Sequence, residues 1–440
     1  MRGFFISNNN FQLHPDVATV IAQIACYNNA LPQGSPCSPV ISNLVAHILD
    51  IRLAALAEKY GCDYSRYADD LTFSTNKRMF PRAIARAVEA APHDWKLGPE
   101  LKKIIKKSGF VVNESKTRMQ YKQSRQDVTG LVVNKKVNIR PEYEKTARAM
   151  AHAAFQTGAF YVTKHTQDAA GNPVEVQDPG TLNQLQGIMS FIDSVKSSNW
   201  SEGNPRPEKR VGHERLYRKT LFYIKFFANE FPLILFEGKT DNIYIRCAIK
   251  RLYSKIPGLA AKKGKSLDFK VRFMSYTDTT SRILDLSGGT GELNKLVAGY
   301  GREWKLYKGG HAKNPVILFV DNDQGSKGLF KAIEGVTKTP VTGTEDFIYV
   351  GWNLYVVPTP KGPSGGDTMI EDFFPKTVRD QKVDGKKFNP GKNLDPAKEY
   401  GKYRFAEKVV RPQQTTINFD RFKPLLKRIV LAIDDYKTKV

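Results

Sequence analysis

Two groups of acidic residues stand out from a basic background: Tyr67-Ala68-Asp69-Asp70 in the first half, and Glu237 with Asp321-Asn322-Asp323 in the second. Carboxylate oxygens are the ligands that hard divalent cations take. Phosphoryl-transfer sites use them to hold Mg2+, in two-metal sites with the ions about 3.5–4 Å apart. Asp69 and Asp70 are adjacent, so they need a tight turn to bring one of them forward; neighbours on a straight strand face opposite ways. Asp321 and Asp323, two apart, can share one face of a strand end. Taken singly, Asp-Asp equally marks a solvated turn, and Glu237 or Asp321 equally caps a following helix.

The surrounding patterns supply elements to carry these residues. Val17 to Cys26 is apolar with helical spacing, and Leu31-Pro32-Gln33-Gly34-Ser35-Pro36 forces a loop. Val40, Leu44, Ile48, Ile51 and Ala55 recur at three and four residues, predicting an amphipathic helix over Pro39 to Ala57 with that face inward. Cys62 to Ser74 alternates around its acidic centre and reads as a hairpin turning at Ala68-Asp69-Asp70. Met119 to Ile139 reads as further short strands. Helical patterns follow at Glu144 to Phe155, Leu182 to Val195 and Glu214 to Asn229, with an exposed loop between Ser197 and Gly212. Pro232 to Phe236, Val316 to Val320 and Leu354 to Val357 are short apolar strands. With a helix over Asn242 to Leu252, they give the alternation of an α/β domain with a parallel sheet. The Lys- and Gly-rich stretch Arg379 to Lys402 reads as a mobile surface.

At 440 residues the chain exceeds one core, so two or three domains are expected. Its 68 Lys plus Arg against 44 Asp plus Glu give a net charge of +24, which fits a polyanion and disfavours a small neutral substrate. No apolar run approaches the roughly 20 residues of a bilayer span, and no signal pattern opens the chain. The expectation is therefore a cytoplasmic protein with no membrane partner. Cys26, Cys37, Cys62 and Cys247 lack metal-ligand spacing and read as reduced thiols. Lys102-Lys103 with Lys106-Lys107, and Arg206, Lys209, Arg210, Arg215, Arg218 and Lys219, could follow a phosphate backbone or be solvated faces. Tyr217, Phe222, Tyr223, Phe226 and Phe227, at helical spacing, read as core.

Gln33-Gly34-Ser35-Pro36, Ser38-Pro39, Ser42-Asn43, Tyr67-Ala68-Asp69-Asp70, Gly109, Asn113 and Lys116-Thr117 stand in the order of reverse-transcriptase palm motifs, which this segment resembles. The resemblance implies that Gln33 and Gly34 border the incoming nucleotide with Tyr67 beside them, that Asp69 and Asp70 are the catalytic metal pair, and that Lys116 approaches the nucleotide phosphates. Val128-Thr129-Gly130, then Leu131-Val132-Val133-Asn134, resembles the signature with which retron reverse transcriptases recognise their own structured RNA. The family's first catalytic aspartate lies upstream of the Gln-Gly-Ser-Pro loop. Met1-Arg2-Gly3-Phe4-Phe5 resembles only the tail of that segment, and Asp16 has another context. The expectation is a chain without its fingers and first palm motif that does not polymerise alone; supply of the missing strand by another polypeptide stays open.

Leu233 to Gly238, the glycine turn Gly288-Gly289-Thr290-Gly291 and Ile317 to Asp323 resemble the Toprim domain of topoisomerases, primases and overcoming-lysogenization-defect nucleases. Gly238-Lys239-Thr240 is no P-loop, since Leu233 stands where that motif needs glycine. The Toprim resemblance implies Glu237 as general acid or base and Asp321 and Asp323 as Mg2+ ligands. Ile370-Glu371-Asp372-Phe373-Phe374 resembles the additional acidic motif of the nuclease branch, which implies Glu371 as a further catalytic ligand and Asp372 as a weaker one. The whole is then an α/β and α+β multidomain protein: a partial palm over 1–140, a helical thumb or connector over 141–230, and a Toprim nuclease-like domain with a central parallel sheet over 231–440. By resemblance it makes or holds a branched RNA-DNA hybrid (msDNA) with a retron non-coding RNA in antiphage defence, its Toprim half cutting a nucleic-acid substrate with Mg2+. A catalytically silent nucleic-acid-binding scaffold is the alternative, and homo-oligomerisation is left open.

Overall fold

The computed structural model describes residues 1–88, 91–168, 172–201, 205–264, 266–391 and 393–440, in two compact units, Met1–Arg140 and Pro141–Val440.

The first unit opens with α1 (Arg2–Ser7), α2 (Pro15–Ala25) and α3 (Ser38–Tyr60). Helix α3 starts with a proline in its first turn and stops at Gly61, whose φ of 61° is the left-handed cap that glycine takes without strain. Strands β1 (Asp63–Tyr67) and β2 (Asp70–Ser74) form the expected hairpin. After them come β3 (Ala85–Val88), β4 (Ala91–Leu97), α4 (Pro99–Lys107), β5 (Asp127–Val128) and β6 (Leu131–Val132). The core gathers Leu49, Leu53 and Leu56 of α3 with Ile84, Leu101 and Ile105, and packs Tyr64, Leu71 and Phe73 of the hairpin against them. This corrects the inward face drawn from sequence: Val40, Ile48 and Ile51 are exposed. Apolar residues occur all around α3, so periodicity cannot choose a side, and the hairpin's docking does. The same breadth corrects the membrane expectation, since α3 is long and apolar enough to span a bilayer by length and composition. Its Leu49, Leu53 and Leu56 nevertheless serve a protein core.

The second unit runs α5 (Pro141–Thr157), the hairpin β7 (Tyr161–Gln167) and β8 (Pro173–Pro179), α6 (Leu182–Ser197) and α7 (Gly212–Phe222), which continues as one π-turn through Phe227. Then follow β9 (Leu233–Phe236), α8 (Asp241–Leu252), β10 (Ala260–Lys263), β11 (Ser266–Phe269), β12 (Arg272–Phe273), α9 (Thr290–Trp304), β13 (Val316–Val320) and α10 (Lys327–Thr337). The chain closes with β14 (Ile348–Gly351), β15 (Leu354–Pro358), α11 (Lys376–Arg379), β16 (Lys387–Phe388), β17 (Glu399–Tyr400), α12 (Lys402–Arg404) and α13 (Lys423–Lys437).

The sheet order is β12-β9-β13-β15-β14, with β14 antiparallel and the other neighbours parallel, so the sheet is mixed. Ile234, Phe236, Ile317, Phe319, Tyr355 and Val357 pack on α8, α13, Phe374 and Phe405. The alternate residues Leu235, Leu318 and Val356 are also fully buried, as a sheet covered on both faces requires.

Helices over 141–230 belong to this unit; they do not form a separate body. Phe222 lies 5.2 Å from Tyr300 and Phe227 4.6 Å from Trp304 of α9, ring centre to ring centre, so the predicted aromatic core is a joint with the sheet layer. Arg206 pairs with Glu214, Arg210 with Asp285, and Arg218 with Asp285 and Glu303. Half of that basic cluster is therefore internal glue, while Lys209, Arg215 and Lys219 stay exposed. Residues 202–204 of the expected loop, and Lys392, lie outside the described residues. The β7–β8 hairpin appears where only polar connectors were expected, and it is largely exposed. The stretch 379–402 is also not simply a mobile surface: β16 pairs with β17, Tyr400 is buried, and Phe388 stacks on Phe405 at 4.1 Å. Its aromatic residues drive that packing, against the weight of its lysines.

Candidate functional site

In the first unit, Tyr67 pairs with Asp70 across the hairpin, so the two-residue turn is Ala68-Asp69 and Asp70 opens β2. Ala68 takes a left-handed φ of 52°. Arg66 holds the turn. Its guanidinium donates to both Asp50 carboxylate oxygens at 2.8 and 2.7 Å, to Asn43 Oδ1 at 3.1 Å and to the Ala68 carbonyl at 2.8 Å. Asp50 also accepts from Tyr64 Oη at 2.7 Å, and the Arg66 hydrogen bonds hold its carboxyl below the usual range. Arg66 and Asp50 were not among the residues expected from sequence; an Arg two residues before the turn and an acid on the preceding helix were the available signals.

Asp69 points outward, 3.9 Å from Lys116 Nζ, so the turn and the predicted phosphate-side lysine do meet. Gln33 and Gly34 are exposed, the latter at φ 86°, in a loop closed by Ser38 Oγ donating to the Pro32 carbonyl at 2.8 Å. Val128-Thr129-Gly130 forms the bend of the β5–β6 hairpin. Thr129 and Gly130 both take positive φ, 47° and 85°, the pattern of a type I′ turn.

In the second unit, acidic residues from successive strand ends converge at the C-terminal edge of the parallel strands, where open α/β sheets place their ligands. Glu237 follows β9. Its carbonyl accepts from Gly289 N at 2.8 Å, and a Cβ on Gly288 would stand 3.2 Å from that same oxygen, so the glycine turn is a close approach to this residue. Glu237 Oε2 is buried without a hydrogen-bond partner among the described residues. Burial first, then the charges of Asp323 and Asp241, push its carboxyl up to about 7. Asp321 follows β13: Oδ1 accepts from Ile370 N at 2.8 Å, and burial raises its carboxyl well above the ordinary value.

Asn322 locks the corner between them, donating through Nδ2 to the carbonyls of Gly343 at 2.7 Å and Thr359 at 2.9 Å. Asp323 turns to cap the next turn, accepting from Gly325 N at 2.8 Å. Glu371, 1% exposed, has Oε1 without a hydrogen-bond partner among the described residues and a carboxyl pushed up to about 7, chiefly by burial. Asp372 is taken up elsewhere, by Met369 N at 2.9 Å and Arg379 at 3.1 Å.

Two members of this cluster escaped the sequence reading. Asp241, buried at the start of α8, accepts from Gly238 N at 2.8 Å; a carboxylate thus fills the position a P-loop phosphate would need. Lys402 reaches Glu371 Oε2 at 3.0 Å and Asp321 Oδ2 at 3.8 Å. Burial works against its charge, but Glu371 and Asp321 outweigh it and raise its pKa. Asp241 was legible as an acid four residues past Glu237. Lys402 gave no signal in a lysine-rich stretch.

The metal assignment needs correction in its geometry. Among the described residues, no three Asp, Glu, His or Cys side chains are arranged to hold one ion. In the first unit Asp69 lies in the turn, 3.9 Å from Lys116 Nζ, while Asp70 opens β2. In the second, Asp323 faces backbone amides and an ammonium stands between Asp321 and Glu371. The donor chemistry suits Mg2+; the present arrangement does not.

Residues 18–133 match the family model for reverse transcriptase (RNA-dependent DNA polymerase). The chain is 38% identical over 184 residues to the retron Ec86 reverse transcriptase of Escherichia coli, covering 42% of this chain and 47% of that protein. It is 47% identical over 163 residues to the retron Mx162 reverse transcriptase of Myxococcus xanthus, covering 37% and 31%. To the retron Mx65 reverse transcriptase of the same organism it is 32% identical over 188 residues, covering 43% and 35%. The chain thus spans under half the length of these relatives. Residues 18–133, which carry the hairpin turn at Asp69 and the neighbouring Lys116, are thus similar to reverse transcriptases, those of retrons among them.

Proposed function

We propose that the chain joins a retron-type reverse-transcriptase segment to a Toprim-like phosphodiesterase that cuts nucleic acid. The observation that carries the second half is the acidic cluster from β9, β13 and residues 369–371 at one sheet edge, with Glu237 lifted to about 7. A carboxyl titrating there divides between its two forms near neutrality, so it can accept a proton from water or return one to a leaving oxygen. Mg2+ is the cofactor this reading calls for.

The first half binds a structured non-coding RNA and the msDNA hybrid, using the Val128-Thr129-Gly130 turn; the whole serves antiphage defence in the cytoplasm. The net charge of +24 supports a polyanionic partner for both halves.

The test is cleavage of labelled RNA and single-stranded DNA with Mg2+ by wild type, Glu237→Gln and Asp321→Ala. Loss of cutting in both variants is expected, and cutting that survives Glu237→Gln refutes the assignment. A silent scaffold is the second reading, favoured by the lack of a three-ligand arrangement among the described residues. It predicts retained nucleic-acid binding and no cutting at any Mg2+ concentration.

A further inference from the structure

Five carboxyl groups, of Glu237, Asp241, Asp321, Asp323 and Glu371, meet at the sheet edge, and Lys402 brings an ammonium among them. That ammonium is not a loose surface charge. Tyr400 before it is buried and donates to the Gln381 carbonyl at 2.5 Å, and Phe405 after it is fully buried against Phe388. The Lys402 carbonyl itself accepts from Tyr244 Oη at 3.2 Å. The backbone on both sides is thus pinned, and the side chain reaches Glu371 at 3.0 Å and Asp321 at 3.8 Å. On the far side of the same carboxylate, Glu371 Oε1 is buried and has no hydrogen-bond partner among the described residues.

We propose that Lys402 is the resident cation of this cluster and that a divalent ion enters only by displacing its ammonium from between Asp321 and Glu371. Mg2+ needs oxygens at about 2.0–2.1 Å in octahedral array. Here Glu371 and Asp321 stand 3.0 and 3.8 Å from an ammonium, and among the described residues no three side chains are arranged for an ion. The ammonium and the ion carry like charge and claim the same oxygens, so each weakens the other's hold. Lys402 therefore sets a threshold: the site loads only where divalent cation is plentiful or where a movement of residues 399–405 withdraws the lysine. The inference rests on the phosphodiesterase reading and deepens its cation requirement.

The experiment is Mn2+ titration of the full chain, followed by the electron paramagnetic resonance of free Mn2+, for wild type, Lys402→Met and Lys402→Gln. The glutamine variant keeps a hydrogen-bond donor for Glu371 should the methionine variant fail to fold. Binding about tenfold or more tighter in either variant is the expected result. In wild type, saturating Mn2+ should also raise acylation of Lys402, mapped by mass spectrometry. Equal or weaker Mn2+ binding in the folded variants overturns the proposal while leaving the nuclease reading standing. No binding in any of the three proteins overturns both.

Discussion

Glu237→Gln should stabilise the second unit in alkaline solution. The carboxyl is held at about 7 against an ordinary 4.5, chiefly by burial, so the folded state keeps a proton that the unfolded state has released. Between roughly pH 4.5 and 7 the wild-type fold therefore loses stability as pH rises, and glutamine, which carries no charge, escapes that loss. The full difference is about 3 kcal/mol; solvent reaching the half-buried side chain reduces it to about 2 kcal/mol. For a unit of this size that is a rise in melting temperature of about 4 °C. The assay is thermal unfolding followed by circular dichroism, in chelator, at roughly pH 5 and pH 8.5. The gap between variant and wild type should open with pH. A gap that stays constant, or reverses, would show that Glu237 is not held neutral by its surroundings.

Other perturbations test other parts. Arg66→Ala leaves the half-buried Asp50 without its two-pronged partner and should cost about 3 kcal/mol in urea unfolding, with little rescue by lysine, which cannot fork. Gly130→Val forces a branched residue to φ 85° and should cost about 1–2 kcal/mol, read by melting temperature. Lys102, Lys103, Lys106 and Lys107 are exposed on α4 beside buried Leu101 and Ile105. Replacing all four by glutamine should flatten the logarithmic salt dependence of RNA binding by about 3. An unchanged slope would make them a solvated face.

Much of the fold could be read from sequence because it rests on local physics. The strands Leu233–Phe236 and Val316–Val320 are short apolar runs ended by acids, and the Asp69 turn lies between alternating segments; such patterns declare both element and exposed end. The order of palm motifs likewise sufficed to pick out the segment that matches reverse transcriptases. Tertiary packing decided the rest. Which side of α3 is inward depended on what docked there, since its apolar residues leave no polar face to exclude. Whether Arg206, Arg210 and Arg218 meet phosphate or protein depended on Asp285, Glu303 and Glu214, far away in the chain or hidden on the next helix. The state of the acidic cluster depended on one lysine, Lys402, among 68 basic residues. Residue type fixes what charge is available; only the folded chain fixes which opposite charge lies within reach and how much water remains between them.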